Sequence, residues 1–283
     1  MSPASAVRLV VTDLDGTLLD EDTYDLGPAR PALDELAARG VPLVLCSSKS
    51  RAEMQPIVAR LGLRSPFIVE NGGAIVFPDR GSGGLAGAPA DDTGAVVALG
   101  APRRDLLAAL PGIALDAGAR VRSFDEMSDA EVAALTGLSE SDAALARRRE
   151  WDEPFVAHDA GGGFDLDARL EAAARRRGLR VTKGGRLHHL TGPTDKGVAL
   201  RALLRFLPAG GGGRTVGLGD AANDLPMLRV VDRPILMPRA GRGVCPVLAA
   251  ALPDAVHAPA PGPAGWAAAV LATLGEPVAP RER

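Results

Sequence analysis

The chain of 283 residues is 46% hydrophobic and 24% charged, and its 32 basic and 35 acidic residues give a net charge of −3. This balance excludes a disordered or collagen-like chain and gives no sign of a basic nucleic-acid surface. The longest apolar stretches, such as residues 266–274, are shorter than the roughly 20 residues that a membrane helix needs. Cys46 and Cys245 do not form a metal-type pair. We expect a globular cytoplasmic protein with no nucleic-acid or membrane partner.

Lysine is rare in this chain. Of the 32 basic residues only Lys49, Lys183 and Lys196 are lysines, and only Asn71 and Asn223 are asparagines. Because arginine fills every other basic position, a remaining lysine is a candidate for a role that needs a compact point charge, which a planar guanidinium does not supply. We expect functional roles for Lys49 and Lys196, and a solvated strand position for Lys183.

Apolar runs typical of buried strands alternate with helical patterns along the chain. In the first part the predicted strands are residues 7–12, 41–46 and 67–69, and the predicted helices are residues 29–39 and 51–61. Residues 74–77 are expected to pair back on the third strand as a hairpin. Near the C-terminus the pattern returns, with strands at 215–218 and 234–237 and a helix at 224–231. The alternation predicts an α/β fold with a Rossmann-like parallel sheet covered on both faces.

The middle of the chain has a different pattern. Residues 81–90 are rich in Gly, Ala and Pro, which is typical of a linker or loop. The segments that follow mix strands at 95–99 and near 155, helices from 102, within 128–149 and at 166–177, and a hairpin of 179–183 with 186–191. We therefore predict a first core part at 1–79, an inserted α+β domain at 80–190 and a second core part at 191–283.

Two carboxylates follow the first predicted strand, in the segment Asp13-Leu14-Asp15-Gly16-Thr17. Ligands of open parallel sheets bind at the carboxyl ends of the strands, which is where this segment lies. Such a pair can hold a divalent cation, act as a nucleophile, or divide the duties of nucleophile and acid/base. The residues alone leave these alternatives open.

Further polar residues follow other predicted strands. Asp220, Asn223 and Asp224 come after the strand at 215–218, Ser47 ends the second strand, and Lys196 precedes a helix. Carboxylate oxygens are ligands for a hard cation such as Mg²⁺, whereas a lysine, a hydroxyl and amide donors suit a phosphate group. The edge of the sheet is therefore predicted to bind Mg²⁺ together with a phosphate.

These segments resemble the four motifs of the haloacid dehalogenase superfamily of phosphohydrolases, in the same order. The resemblance implies a Rossmann-like core with an inserted α+β cap domain. It implies that Asp13 is the nucleophile and Asp15 the general acid/base. It also implies that Ser47, Lys196 and Asn223 bind the phosphate, and that the Mg²⁺ ligands come from Asp13, Asp15, Asp220 and Asp224.

A closer resemblance covers most of the chain. It rests on SSKSR at 47–51, PFIVENGG at 66–73, REWDEPF at 149–155 and GGRLHH at 184–189. These segments resemble the mannosyl-3-phosphoglycerate phosphatases, which implies a phosphorylated glycosylglycerate as the small-molecule substrate. Leu187 departs from the pattern, because an aromatic residue is expected there; this change could alter the packing of the sugar.

The resemblance also implies a set of residues that contact the leaving group: Lys49, Asn71, Arg149, Gly184, Gly185 and Arg186. The glycine amides beside an arginine suit the carboxylate of a glycerate. His188 and His189 alternate along a strand, and we identify no partner carboxylate for either. Neither histidine is therefore predicted to be catalytic.

Three other functions fit the same motifs. A sugar phosphatase of broad specificity and a phosphomutase would use the same core residues. The third alternative is a module with regulatory partners that binds Mg²⁺ and phosphate without catalysis. Such a module would need fewer of the core residues. The presence of every expected catalytic group favours an enzyme over such a module.

Overall fold

The structure is a computed structural model that describes residues 7–21, 23–78, 90–91, 94–160, 165–184, 187–206 and 213–276. Its first part alternates strands with helices, as the sequence predicts. The elements are β1 (Val7–Thr12), α1 (Arg30–Ala38), β2 (Leu43–Leu45), α2 (Arg51–Leu61), β3 (Phe67–Val69) and β4 (Ala74–Phe77). β3 and β4 pair antiparallel and form the predicted hairpin.

The middle part mixes strands and helices. Its elements are β5 (Ala90–Asp91), β6 (Gly94–Ala98), α3 (Arg103–Ala117), β7 (Ala119–Ser123), α4 (Asp129–Thr136), α5 (Glu140–Ala146), β8 (Asp152–Asp159), α6 (Leu166–Arg175), β9 (Arg180–Gly184) and β10 (Leu187–Thr191). The last part returns to the core with α7 (Lys196–Phe206), β11 (Arg214–Gly219), α8 (Leu225–Leu228), β12 (Arg233–Leu236), β13 (Pro238–Arg239), β14 (Gly243–Val244), α9 (Pro246–Ala251), β15 (Val256–His257) and α10 (Gly262–Gly275).

The central sheet has the strand order β15-β12-β11-β1-β2, and every pair in it is parallel. Four of the six residues of β1 are apolar and buried, as suits a strand with both of its faces covered. Val10 packs into a core with α1 and α10, whereas Leu9 and Val11 pack into a second core with α7 and α8. The predicted parallel α/β sheet is therefore confirmed.

α2 has the bounds that its sequence predicts, and local interactions explain why. The hydroxyl of Ser50 accepts a hydrogen bond from the backbone N–H of Glu53, whose carboxylate accepts one from the N–H of Ser50. This capping box fixes the start of the helix. Gly62 ends the helix in the left-handed conformation, with φ of 64°.

A second sheet, β7-β8-β10-β9, is antiparallel and lies in the inserted segment. We call this sheet and α3 to α6 the cap. α3 and α6 pack on one face of the sheet, around Leu106, Phe155 and Leu170. Side chains of α4 and α5 pack on the other face, against Val156 and Leu187. The cap therefore has its own hydrophobic cores, as an inserted α+β domain requires.

Some sequence expectations differ from the structure. β6 pairs with β4, so residues 94–98 extend a core sheet instead of the cap sheet. The helix predicted at 224–231 is shorter in the structure, where a 3-10 turn (Ala222–Asp224) is followed by the short α8. The reason is local, because the Asp224 carboxylate accepts hydrogen bonds from the N–H groups of Asp220 and Ala221. The predicted linker lies outside the described residues except for Ala90. The predicted domain limits stay a prediction.

The sequence predicts no membrane-spanning helix. Within the ranges that the structure describes, no helix has both the length and the apolar character needed to span a bilayer.

Candidate active site

Three carboxylates meet at the carboxyl edge of the central sheet. Asp13 follows β1, and Asp220 and Asp224 follow the neighbouring strand β11. The backbone N–H of Asp13 donates to the carbonyl of Leu218 at 3.0 Å, which aligns the two strand ends. The three side chains are buried, and one oxygen of each lies within 4.8 Å of the others. The structure thus brings together three residues that the sequence places at this edge.

This set of oxygen ligands fits a divalent metal ion, since hard cations prefer carboxylate oxygens. Burial raises the pKa of Asp13 well above its ordinary value; Lys196 acts to lower it, and Asp224 and Asp220 add to the rise. Burial and then Asp224 raise the pKa of Asp220 to about 6. A cation among the three carboxylates would favour their charged forms, so both the donor atoms and the charge suit a metal.

Lys196 places a positive charge inside this cluster. It begins α7, its side chain has no exposed surface, and its Nζ lies 2.5 Å from Oδ1 of Asp13 and 2.6 Å from Oδ1 of Asp224. Burial acts to lower the pKa of Lys196, but these carboxylates hold it well above its ordinary value. Arg239 donates to Oδ2 of Asp220 at 2.8 Å. Arg239 is not among the predicted site residues, because nothing in the sequence near it distinguishes it from the other arginines.

Asp15 lies outside the acidic cluster that the described residues form, and it contacts Lys49. The Nζ of Lys49 is 3.0 Å from Oδ1 of Asp15 and 4.8 Å from the centre of the Tyr24 ring. The part of Asp15 in metal binding and the contact of Lys49 with substrate stay predictions. Ser47 is buried after β2, where its Oγ accepts a hydrogen bond from the N–H of Lys49.

Both asparagines of the chain take part in one hydrogen-bonded chain between core and cap. Nδ2 of Asn223 donates to Oδ1 of Asn71 at 3.2 Å, and Nδ2 of Asn71 donates to Oδ2 of Asp152 at 3.1 Å. The backbone N–H of Asn71 also donates to the carbonyl of Ser47. Asp152 belongs to β8, so the predicted phosphate-binding loops are joined directly to the cap.

The guanidinium of Arg149 is occupied by protein groups. It donates to the carbonyls of Ala146 and Ser48, both at 2.9 Å, and to Oδ2 of Asp152 at 3.3 Å. Only 6% of the side chain is exposed, so these contacts fasten the cap to the core. Its contact with substrate stays a prediction. Gly184 is exposed at the end of β9.

Two further residues of the predicted leaving-group set, Gly185 and Arg186, lie outside the described residues. Both histidines beside them have a carboxylate partner. Nε2 of His188 is 2.7 Å from Oδ1 of Asp167, and Nδ1 of His189 is 2.9 Å from Oδ2 of Asp152. The expectation that neither has such a partner is wrong. These partners lie 21 and 37 residues away along the chain, so local sequence does not reveal them.

Glu70 is a second residue of this region that is not among the predicted site residues. It is completely buried, and its carboxylate accepts hydrogen bonds from the backbone N–H groups of Glu150 (3.1 Å) and Trp151 (2.7 Å). Its φ of 51° is uncommon outside glycine and holds the loop in the turn that precedes β4. Burial raises the pKa of Glu70 to about 7, although Arg149 and the Trp151 N–H act to lower it. Glu70 therefore binds cap backbone to a core loop.

Open space borders the site on two sides. A cleft of about 470 Å³ lies between β9 and α6 of the cap and the start of α7, and Asn71, Lys196 and Asn223 are in its walls. A second cleft of about 390 Å³ lies between α2 and α5, with Lys49 and Tyr24 in its walls. Ligands can thus approach the predicted site residues from either side of the contact between core and cap.

Comparisons with known proteins agree with the motifs. Residues 10–83 match the family described as haloacid dehalogenase-like hydrolase. A glucosyl-3-phosphoglycerate/mannosyl-3-phosphoglycerate phosphatase of Persephonella marina is 36% identical over 271 residues, which cover 95% of this chain and 97% of that protein. A phosphatase of the same name from Methanococcoides burtonii is 38% identical over 276 residues, covering 95% of this chain and 98% of that protein.

The fold also matches solved structures. A haloacid dehalogenase-like hydrolase from Bacteroides thetaiotaomicron superposes with a TM-score of 0.62 at 19% identity, covering 94% of this chain and 98% of that chain. At this identity the likeness concerns the fold, which is that of a core sheet with an inserted cap.

Glu70 gives the stability of the protein a characteristic pH dependence. Its carboxyl has an ordinary pKa of 4.5 and a pKa of about 7 in the folded protein. Because the folded state holds this proton more tightly, the contribution of Glu70 to the free energy of unfolding is fully present below pH 4.5 and decreases as the pH rises to about 7. At about 1.4 kcal/mol per pKa unit, the decrease is on the order of 3 kcal/mol.

We expect the stability of the wild type relative to Glu70→Gln to fall by most of this amount between pH 5 and pH 8, measured by urea unfolding at both values. Glu131→Gln is the matched control, because hydrogen bonds from the backbone of Ser128, and then from Arg122, lower the pKa of Glu131 to about 2. The difference in stability between the wild type and Glu131→Gln should not change between pH 5 and pH 8. A pH-independent difference for Glu70→Gln would show that its carboxyl titrates normally.

Proposed function

Because the chain belongs to the haloacid dehalogenase-like hydrolases, and within them to the family of glucosyl-3-phosphoglycerate/mannosyl-3-phosphoglycerate phosphatases, we propose that it converts a glycosyl-3-phosphoglycerate to the glycosylglycerate and inorganic phosphate. The chain is a phosphoric monoester hydrolase, as its relatives are. The observation that carries the proposal is that the carboxylates of Asp13, Asp220 and Asp224 lie together, with the ammonium of Lys196 bonded to Asp13 and Asp224. Carboxylates and an ammonium in this arrangement suit phosphoryl transfer.

We propose Mg²⁺ as the metal, with Asp13, Asp220 and Asp224 as the residues that would hold it. When bound, the ion offsets the negative charge of the phosphate oxygens. This assignment explains why the three acidic side chains are buried together, since carboxylates in such proximity are costly without compensating charge.

The first step would use Asp13 as the nucleophile. A carboxylate oxygen of Asp13 attacks phosphorus in line with the leaving oxygen, so a P–O bond to Asp13 forms while the ester P–O bond breaks. Asp15 donates a proton to the leaving alkoxide. The ammonium of Lys196 donates charge-assisted hydrogen bonds to the phosphate oxygens, and the hydroxyl of Ser47 donates a further one. The position of Asp15, three residues after the end of β1, and its contact with Lys49 support this proposal.

The second step would hydrolyse the aspartyl-phosphate. Asp15, now a carboxylate, takes a proton from a water molecule, whose oxygen attacks phosphorus. Inorganic phosphate leaves, and the carboxylate of Asp13 is regenerated with Asp15 protonated for the next cycle. No other reactant is needed, so the cycle is balanced as a hydrolysis.

Selectivity would come from the cap, which joins the core at the predicted phosphate loops. The Gly184-Gly185 amides and Arg186 are our candidates for the glycerate carboxylate, on the sequence resemblance. A charge-assisted contact is worth about 1.5–3 kcal/mol, or roughly ten- to over a hundredfold in specificity. A glycosyl-3-phosphoglycerate should therefore be preferred over a plain sugar phosphate by such a factor.

A substrate panel tests the proposal. With Mg²⁺ present, phosphate release should be most efficient, in kcat/KM, for glucosyl- and mannosyl-3-phosphoglycerate, and at least about tenfold lower for glucose 6-phosphate and mannose 6-phosphate. Metal removal by a chelator should abolish release, and Asp13→Asn should lower it by at least about a thousandfold. Equal efficiency on all substrates would favour a broad-specificity sugar phosphatase, and transfer without free phosphate would favour a phosphomutase.

Lys196 provides a second test, because arginine replaces lysine at nearly all other basic positions of this chain. The Lys196 side chain is completely enclosed between Asp13 and Asp224, which leaves little room for a planar guanidinium. We expect Lys196→Arg to lower kcat/KM by about a hundredfold, nearly as much as Lys196→Ala.

The matched control is Lys183→Arg, at an exposed lysine that pairs with Asp167 in the cap. It should leave p-nitrophenyl phosphate hydrolysis unchanged, and thermal unfolding of each variant checks that the fold is intact. If Lys196→Arg retains most of its turnover, the compact ammonium is not required.

A further inference from the structure

Asp152 is a completely buried carboxylate that receives hydrogen bonds from three separate parts of the chain. Nδ2 of Asn71 comes from the core, a guanidinium nitrogen of Arg149 comes from the segment after α5, and Nδ1 of His189 comes from β10. Burial acts to raise the pKa of Asp152, but His189 and then Arg149 outweigh it and hold the pKa below its ordinary value. Asp152 is thus a charged acceptor at the contact between core and cap.

This carboxylate fixes the orientation of the His189 ring. A charged carboxylate only accepts hydrogen bonds, so the proton on the bonded nitrogen lies at Nδ1. The second nitrogen, Nε2, lies at the opposite side of the ring. Among the residues that the structure describes, Nε2 of His189 has no hydrogen-bond partner, although only 11% of the side chain is exposed. An oriented imidazole with one nitrogen left available is suited to bind a ligand.

The neighbouring histidine shows the contrasting arrangement. The ring of His188 stacks on Phe155, with ring centres 5.3 Å apart, and its Nε2 is bonded to Asp167. Both partners lie on the side of the sheet that α3 and α6 cover. Because side chains alternate along a strand, His189 projects to the opposite face, the face on which Asp152 contacts the core loop.

That face adjoins the proposed phosphate site. Asp152 is bonded to Asn71, which in turn is bonded to Asn223 and to the carbonyl of Ser47. His189 is therefore joined, through Asp152 and Asn71, to the loop that carries Ser47.

We propose that Nε2 of His189 accepts a hydrogen bond from a hydroxyl of the glycosyl unit of the substrate, with Asp152 as the positioning residue that orients the ring. The inference rests on the proposed function, because it concerns recognition of its leaving group. A hydroxyl is the matching group for the neutral ring, since a neutral imidazole whose one proton is on Nδ1 offers a lone pair at Nε2, and a glycerate carboxylate has no proton to donate.

His189→Asn separates this role from a structural one. The asparagine amide nitrogen occupies the place of Nδ1 and can still donate to Asp152, but no atom remains at the place of Nε2. We expect the KM for a glycosyl-3-phosphoglycerate to rise about three- to tenfold, the loss of one neutral hydrogen bond, with kcat little changed. The kcat/KM for 3-phosphoglycerate and for p-nitrophenyl phosphate, which lack the sugar, should not change.

Three further variants complete the test. His189→Gln places its amide near Nε2 and should keep more of the preference for the glycosyl substrate than His189→Asn does. Asp152→Asn should raise the KM for that substrate more than it lowers kcat, because the ring loses its charged acceptor. His188→Asn, on the opposite face, should lower the melting temperature without changing the ratio of kcat/KM between the substrates.

The outcomes distinguish this inference from the proposed function. Equal losses on all three substrates in His189→Asn, or an unchanged preference for the glycosyl substrate in that variant, would overturn the role of His189 while the wild-type preference still stands. A wild type that does not prefer the glycosyl substrate over 3-phosphoglycerate would contradict the proposed function, and this inference with it.

Discussion

The ammonium of Lys196 lies between the carboxylates of Asp13 and Asp224, and the geometry of the active site depends on this contact. Three buried carboxylates around one point repel one another, and burial adds a cost for each charge. Lys196 offsets part of this cost at 2.5 Å and 2.6 Å from its two partners. It also joins the start of α7 to the ends of β1 and β11. Arg239 offsets the charge of Asp220 in the same way, by donating a hydrogen bond to its carboxylate. A metal ion would offset the remaining negative charge.

A second set of contacts couples this chemistry to the cap. Glu70 binds the backbone of Glu150 and Trp151, and Asn71 binds Asp152, so two consecutive core residues hold the cap. Asn71 also contacts Asn223, which precedes the proposed metal ligand Asp224. Since these contacts are short and mostly buried, the position of the cap depends on the same loop that borders the phosphate site. Selection of the leaving group and cleavage of its phosphate are therefore connected through a few hydrogen bonds.

The sequence predicted features that local patterns determine. The apolar run of β1, the capping box of α2 and the glycine at its end are local signals, and these elements have their predicted bounds or nearly so. Carboxylates at the ends of β1 and β11 could also be predicted to meet, because neighbouring parallel strands end at the same edge. The cluster of Asp13, Asp220 and Asp224 follows from that rule.

Features that depend on distant pairing were missed. β6 pairs with β4, but a segment without a helix or strand pattern separates the two strands in the sequence. Residues 94–98 were therefore assigned to the insert. His189 and Asp152 are 37 residues apart, and nothing in either neighbourhood indicates that they meet. The protein contacts of Arg149 were also not predicted, because the carbonyls of Ala146 and Ser48 that accept from its guanidinium belong to backbone whose position only the folded structure gives.

The central claim is that Asp13 carries the phosphoryl group while Asp15 moves the protons. The most direct measurement is mass spectrometry of the Asp15→Asn variant, mixed with mannosyl-3-phosphoglycerate and Mg²⁺ and quenched in acid after a short reaction. Without the carboxylate that activates water, the second step should be slowed more than the first, so the account predicts one phosphoryl group on the peptide that contains Asp13. Phosphate release from this variant with no labelled protein at any time, or a phosphoryl group on Ser47 instead, would contradict it.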